Sequence, residues 1–192
     1  VPTKNIPAQD VEKIYRAAIT DPTMYARIDI AFTTGLRPGE VLGLLWSDID
    51  FERQTLSIER QVQPVRGKGL VFQSVKQDEI RVIPLTDEQC AILLRHREHQ
   101  DRQKEKWTRD ENLIFPNNKG GKQTSKADRA RFHRVCQQAG VAKYQIYQMR
   151  KTCLTNMHTD GVDIKTQMQF SGHRQASTLL NHYIFPTEES LN

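Results

Sequence analysis

The chain has 192 residues and carries 28 Lys+Arg against 23 Asp+Glu, a formal net charge of +5. That length suits one domain, or at most two small ones, and lets roughly 70% of the unfolded surface be buried without staples. Three cysteines without metal-type spacing argue against a disulfide framework and read as reduced thiols; no apolar run approaches a membrane span, no secretory leader is visible, and the positive excess favours a polyanionic partner.

From the amino end, Val11, Ile14, Tyr15 and Ala18 recur at helical spacing and predict an amphipathic helix over 7–18. Asp21-Pro22 reads as an N-cap followed by proline, opening a helix that runs to about Thr34 and stops at Gly35. Arg37-Pro38 opens a short helix with Val41, Leu42, Leu44 and Leu45 as its buried side, which places Arg37 at a junction between helices. From about Asp50 to Leu85 the pattern becomes that of strands. Residues 55–58, 70–75 and 80–84 read as a small antiparallel sheet, with Arg66-Gly67-Lys68-Gly69 and Lys76-Gln77-Asp78-Glu79 as turns. Thr86-Asp87-Glu88-Gln89 is a capping box, predicting a helix from there towards Trp107. Residues 117–125 read as a loop, and later helices are expected over about 145–160, closed by Gly161, and 175–183. The expected fold class is α+β, mainly α-helical, with a small three-stranded antiparallel sheet.

Four stretches carry residues suited to one chemistry: Arg37 in Thr34-Gly35-Leu36-Arg37-Pro38-Gly39-Glu40, Arg150 in Tyr147-Gln148-Met149-Arg150-Lys151-Thr152, His173 in Ser171-Gly172-His173-Arg174, and Tyr183 in Leu180-Asn181-His182-Tyr183. Attack on a phosphodiester builds negative charge on its non-bridging oxygens. Arginine holds that charge through a planar fork that donates two parallel hydrogen bonds and stays protonated. Two arginines can grip both oxygens, and preorganised donors of this kind are worth about 3 kcal/mol each. A tyrosine oxygen can attack if nearby positive charge or a proton acceptor offsets its pKa near 10. Imidazole can donate to a phosphate oxygen or exchange a proton with the phenol. No phosphate-binding GxxxxGK[ST] loop and no carboxylate cluster of the metal-nuclease kind is present, so neither cofactor nor metal is expected.

The order and spacing of these four, with a lysine-bearing hairpin between the first and second, resemble the tyrosine recombinase (phage integrase) family of DNA breaking-rejoining enzymes, over about Ile6 to Pro186. The resemblance implies a site-specific recombinase that cleaves and rejoins double-stranded DNA through a 3′-phosphotyrosyl intermediate, for integration or excision of a phage or mobile element. It implies that Arg37 and Arg150 clamp the phosphate and Tyr183 attacks. It also implies that Lys76, with Lys68 as a rival, protonates the leaving 5′-hydroxyl, and that His173 assists. The family usually has histidine where this chain has Tyr147. A tyrosine hydroxyl can bind a phosphate oxygen but cannot trade protons near neutral pH, so proton traffic is expected to fall to His173 and Lys76. By the same resemblance, residues 1–186 form the catalytic domain, 187–192 a tail with Ile184, Phe185 and Leu191 as anchors in cis or in trans, and an amino-terminal DNA-clamping domain is absent from this chain. A homotetramer on DNA, a monomer as the isolated domain, and a bacterial cytoplasmic, DNA-associated location are expected. A type IB topoisomerase shares the chemistry, and a DNA-binding module without catalysis is the reading that Tyr147 motivates.

Two further clusters bear on partners. Lys119, Lys122, Lys126, Arg129, Arg131 and Arg134 crowd into sixteen residues opposed only by Asp128, and are expected to meet DNA phosphates. His96 and His99 resemble half a metal site that nothing completes, and read as a solvated helical face.

Overall fold

A computed structural model describes residues 4–76 and 80–183, without the side chains of 181–183. The expected turn residues Gln77, Asp78 and Glu79 and the expected tail anchors Ile184, Phe185 and Leu191 lie outside the described residues. The elements in order are α1 (Ala8–Ala18), α2 (Pro22–Thr34), α3 (Pro38–Leu42), β1 (Ile49–Asp50), β2 (Thr55–Ile58), β3 (Arg60–Val65), β4 (Gly69–Ser74), β5 (Arg81–Pro84), α4 (Asp87–Asp101), α5 (Ser125–Gln138), α6 (Ile146–Thr159), α7 (Ile164–Ser171) and α8 (Ala176–Tyr183).

The molecule is organised around α2. Asp21 accepts from the Thr23 and Met24 amides and starts the helix. Gly35 ends it in the left-handed region at φ 64°, where a Cβ would come within 3.3 Å of Leu154 and 3.4 Å of the Cys153 sulfur. Only glycine takes that conformation without strain and lets the end of α2 lie so close to α6. Along its length α2 is buried nearly all round, as expected of a helix inside a core rather than on its surface. Ala26 and Ile30 pack with Leu36, Val41, Leu44, Leu56, Ile58, Ile83, Leu93 and Phe115. Met24, Ile28, Ala31 and Phe32 pack on the other side with Ile14, Phe132, Val135 and Met149. Arg27 reaches Asp128 on α5 through two hydrogen bonds of 3.1 and 2.6 Å, both side chains buried. Asp128 therefore does not oppose the basic residues around it, as the sequence suggested, but faces inward.

The three-stranded antiparallel sheet runs β1-β2-β5, with Ile49↔Leu56 and Leu56↔Ile83 in register. The strand expected at 70–75 is not part of it. It is β4, and it pairs with β3 as a separate hairpin closed at Val65↔Gly69. The sequence hid β3 because Arg60-Gln61-Val62-Gln63-Pro64-Val65 is largely polar and contains a proline, which only a strand with a free edge accommodates. Glu59 alone separates β2 from β3, and its carbonyl accepts from the Val75 amide at 2.9 Å. β4 and β5 thus return along one continuous partner. Lys76 follows β4 and is exposed; because β4 pairs with β3 and β5 with β2, the strands on either side of it are not hairpin partners of each other.

Two other expectations change. α4 stops at Asp101, and a short 3₁₀ turn over Lys104–Lys106 replaces the stretch towards Trp107. His96 is not on a solvated face: it is 1% exposed, stacked on Phe115 with ring centroids 5.3 Å apart, and its Nε2 lies 2.6 Å from the Ile114 carbonyl. Burial, the main influence, holds its pKa below the usual histidine value. Among the described residues no helix is long and apolar enough to cross a membrane.

Candidate active site

Arg37 is the N-cap residue of α3. Pro38 occupies the first helical position, and Glu40 reaches back so that its Oε2 accepts from the Arg37 amide at 2.8 Å. This is the carboxylate half of a capping box, which fixes the backbone from which the arginine projects. Glu40 also accepts from Arg37 Nη1 at 3.2 Å. The Arg37 side chain keeps 34% of its surface exposed, while that of Glu40 keeps 1%. A buried carboxylate is stable only with partners. Here burial pushes the Glu40 pKa up, but hydrogen bonds and charge from Arg81, the Arg37 amide and the Arg150 charge more than offset it, and the net shift is downward. Glu40 is therefore ionised at neutral pH.

Arg150 comes from α6 and is 1% exposed, one of the largest fully buried side chains. Its Nη1 donates to the carbonyl of Gly35, two residues before Arg37, and its Nη2 donates to the Ser171 carbonyl at 2.8 Å. Arg37 Nη2 donates to the next carbonyl, Gly172, at 3.4 Å. Two guanidinium groups from distant stretches are thus laced to consecutive carbonyls at the end of α7. Burial first, and the Arg37 charge second, bring the Arg150 pKa down to about 10. It remains a cation at neutral pH.

The turn that carries His173 is built by Gly172, which caps α7 with φ 67°. His173 Nε2 lies 3.3 Å from Arg150 Nη2, and its Nδ1 lies 2.6 Å from Ser171 Oγ. A guanidinium only donates, so Nε2 is the acceptor and the ring proton sits on Nδ1. Ser171 Oγ, whose residue is fully buried, relays to the Met168 carbonyl at 3.4 Å. Tyr147 lies one turn before Arg150 on α6 and is 43% exposed; its phenol bears on the Arg150 charge.

The remaining expectations divide. Tyr183 is the last residue of α8, a helix that packs on α6 and α7; its side chain lies outside the described residues. Of the basic cluster, Lys119, Lys126, Arg129 and Arg134 are exposed. Lys122 and Arg131 are already engaged: Lys122 Nζ pairs with Glu111 at 2.5 Å and lies 4.1 Å from the Phe72 ring centre, and Arg131 Nη2 donates to Asn118 at 2.6 Å. A cleft of about 820 Å³, whose lining includes His99, Gln103, Lys106, Arg131 and Arg134, is a separate feature that none of the Arg37, Arg150 and His173 side chains lines. Sequence reasoning gave no role to Glu40, Arg81 or Ser171. Glu40 had a signal, standing at the third helical position after Arg37; Arg81, a strand arginine between Ile80 and Val82, had none.

A mainly helical domain that gathers two guanidinium groups and an imidazole around one pair of carbonyls defines a class of fold, and comparison with known proteins identifies it. The family model described as the phage integrase family matches residues 4–189, and the chain belongs to that family. A tyrosine recombinase XerC-like protein of Caldanaerobacter subterraneus subsp. tengcongensis is 28% identical over 190 residues, covering 91% of this chain and 48% of that protein. Tyrosine recombinase XerD of Proteus mirabilis is 26% identical over 184 residues, covering 91% of this chain and 53% of its own length. The chain spans about half the length of these curated relatives. Among solved structures, XerA recombinase matches with a TM-score of 0.79 at 20% identity, and the Tn1549 transposon integrase in complex with a circular intermediate DNA with 0.81 at 21%. Each covers the whole of this chain, which spans 63% and 64% of theirs. The fold class expected from the sequence is the one found.

Proposed function

We propose that this chain is the catalytic domain of a site-specific tyrosine recombinase that cleaves and rejoins double-stranded DNA during integration or excision of a mobile element. The observation that carries the reading is the lacing of Arg37 and Arg150 to the adjacent carbonyls of Gly172 and Ser171. Both guanidinium groups are held by backbone, so they are preorganised before any phosphate arrives, and preorganised charge is what stabilises a transition state. Membership of the phage integrase family supports the same reading.

In this mechanism the scissile phosphate sits between Arg37 and Arg150, which take its non-bridging oxygens. Tyr183 Oη attacks phosphorus; the P–O5′ bond breaks and a 3′-phosphotyrosyl link forms. The phenol proton passes to the Nε2 lone pair of His173, the nitrogen that faces Arg150 in the free chain. Lys76 gives a proton to the departing 5′-oxygen. Tyr147 donates a hydrogen bond to a phosphate oxygen in place of the histidine usual in the family. Strand exchange in a homotetramer, with a further DNA-clamping domain, completes the cycle of the whole protein.

The test is a DNA duplex bearing the recombination site and nicked beside the crossover, so that the cleaved end diffuses away. The expected result is a covalent protein–DNA adduct that Tyr183→Phe abolishes. An intact parent chain that binds the site and never forms an adduct would contradict the reading and favour a binding module. Tyr147→Phe is expected to slow adduct formation roughly tenfold, the effect of one missing hydrogen bond in the transition state, while Tyr147→His stays near the parent rate.

A further inference from the structure

Arg81 belongs to none of the groups that would touch the phosphate. It stands at the start of β5 with its side chain 8% exposed. Its fork grips both oxygens of Glu40, Nη1 to Oε1 at 3.1 Å and Nη2 to Oε2 at 2.8 Å. Its Nε points elsewhere and donates to the Phe170 carbonyl at 2.9 Å. The guanidinium also lies against Gly172, where a Cβ would come within 3.0 Å of Nη1 and 3.1 Å of Cζ. One planar group on β5 thus joins α3 to the end of α7, two parts of the chain that are far apart in sequence.

Each of those interactions leads to one of the two clamp arginines. Glu40 holds the Arg37 amide and its Nη1. Gly172, pressed against Arg81, offers the carbonyl that holds Arg37 Nη2. Phe170 belongs to the same end of α7, one residue before the Ser171 carbonyl that holds Arg150. A salt bridge buried for stability alone gains little, because desolvating both ions offsets most of their attraction. The value of this one lies in direction. A guanidinium presents its donors at fixed angles, so it can set the distance between the carboxylate under Arg37 and the turn before His173; a lysine, with one rotatable charge, cannot.

We infer that Arg81 is a positioning residue for the phosphate clamp. It sets the separation between Arg37 and the Ser171-Gly172-His173 turn, and with it the gap that receives the two non-bridging oxygens. This inference rests on the recombinase reading for its purpose, but its physical content is the affinity of the clamp for a tetrahedral oxyanion, which can be measured without catalysis.

The variant is Arg81→Lys, which keeps the charge beside Glu40 and loses the fork. Inorganic phosphate is titrated into the arginine-labelled chain while the side-chain Nε–H resonance of Arg37 is followed by NMR, and adduct formation is measured on nicked DNA. The expected result is a phosphate affinity at Arg37 roughly tenfold weaker, as for other supporting residues behind a binding site. The cleavage rate should fall by about 10²-fold at saturating DNA with KM near the parent value, because the defect lies in geometry rather than in DNA affinity. Parental phosphate affinity in a folded Arg81→Lys chain would overturn the inference. A parent that binds phosphate at Arg37, loses that binding in Arg81→Lys, and forms no DNA adduct would instead overturn the recombinase reading and leave the role of Arg81 standing. Should Arg81→Lys fail to fold, the paired change Arg81→Gln with Glu40→Gln keeps hydrogen bonding without an unmatched buried charge. It is expected to show the same loss of phosphate affinity, and retention of that affinity overturns the inference equally.

Discussion

The arginine clamp and the basic strip on α5 both carry positive charge, and they hold it in opposite ways. In the clamp, Arg150 is buried and its donors are set by the carbonyls of Gly35 and Ser171. On the strip, Lys126, Arg129 and Arg134 stand exposed on one helix. Charge in the first place is aimed; charge in the second is available. Low-dielectric surroundings strengthen each interaction of an aimed group, whereas exposed charges act through a screened field that salt weakens. Counting cations in a sequence finds both regions, while only the backbone that surrounds them says which could bear on a reaction and which on docking.

The largest effect is expected where an arginine of the clamp is exchanged for lysine. Arg150→Lys is expected to lower the rate of adduct formation by about 10²- to 10³-fold, the cost of removing one preorganised donor. Arg37→Lys should lose a comparable factor. DNA affinity should move little in either. A rate within about threefold of the parent, by contrast, would mean that aimed geometry is irrelevant and charge alone suffices.

Asp29 is the contrary case, a buried charge held by a neutral partner. It is 7% exposed, accepts from the Tyr15 hydroxyl at 3.1 Å, and burial pushes its pKa from 3.8 up to about 6. Between those two values the folded chain holds a proton that the unfolded chain has lost. The group therefore favours folding at the acid end, and that contribution disappears as pH rises through about 6. Asp29→Asn mimics the protonated form. It is expected to raise stability at pH 7.5 by at most roughly 3 kcal/mol, with the gain shrinking towards pH 5. Urea unfolding of parent and variant at both pH values checks this; a gain that grows on acidification would reverse the assignment.

The strip supplies the smallest effects. Arg129→Ala and Arg134→Ala should each weaken DNA binding a few-fold and flatten the dependence of log K on log salt by about 0.9 for every phosphate left without its cation. Lys122→Ala should change that slope less, because Glu111 already neutralises Lys122. Equal slopes for Lys122 and Arg129 variants would show that the internal pairing opens on DNA.

How much of this was legible in the sequence follows from the range of the interactions. Helix ends were readable wherever a cap or a glycine acts within a few residues: Asp21-Pro22, Gly35 and Thr86 to Gln89 all fall where expected. The strands were read less well, because β3 is rich in polar residues and its pairing with β4 and packing on α3 are not visible in its own sequence. His96 was misjudged for a related cause. A histidine in a charged helix looks solvated until Trp46 and Phe115 close around it from elsewhere in the chain. In the site, Arg37, Arg150 and His173 stood out by motif, and the structure brings those three together. Their supports did not stand out, since Arg81 lies 41 residues from Glu40 and 89 from Phe170, and nothing local to a strand reports interactions of that range.

The most direct test asks where a tetrahedral oxyanion settles when both regions are open to it. Crystals of this chain soaked in sodium tungstate would locate the anion by the anomalous signal of the metal. A peak is expected within hydrogen-bonding distance of both the Arg37 and Arg150 guanidinium groups, absent in Arg37→Ala. Tungstate found along Lys126, Arg129 and Arg134 with none at the arginine pair would contradict it.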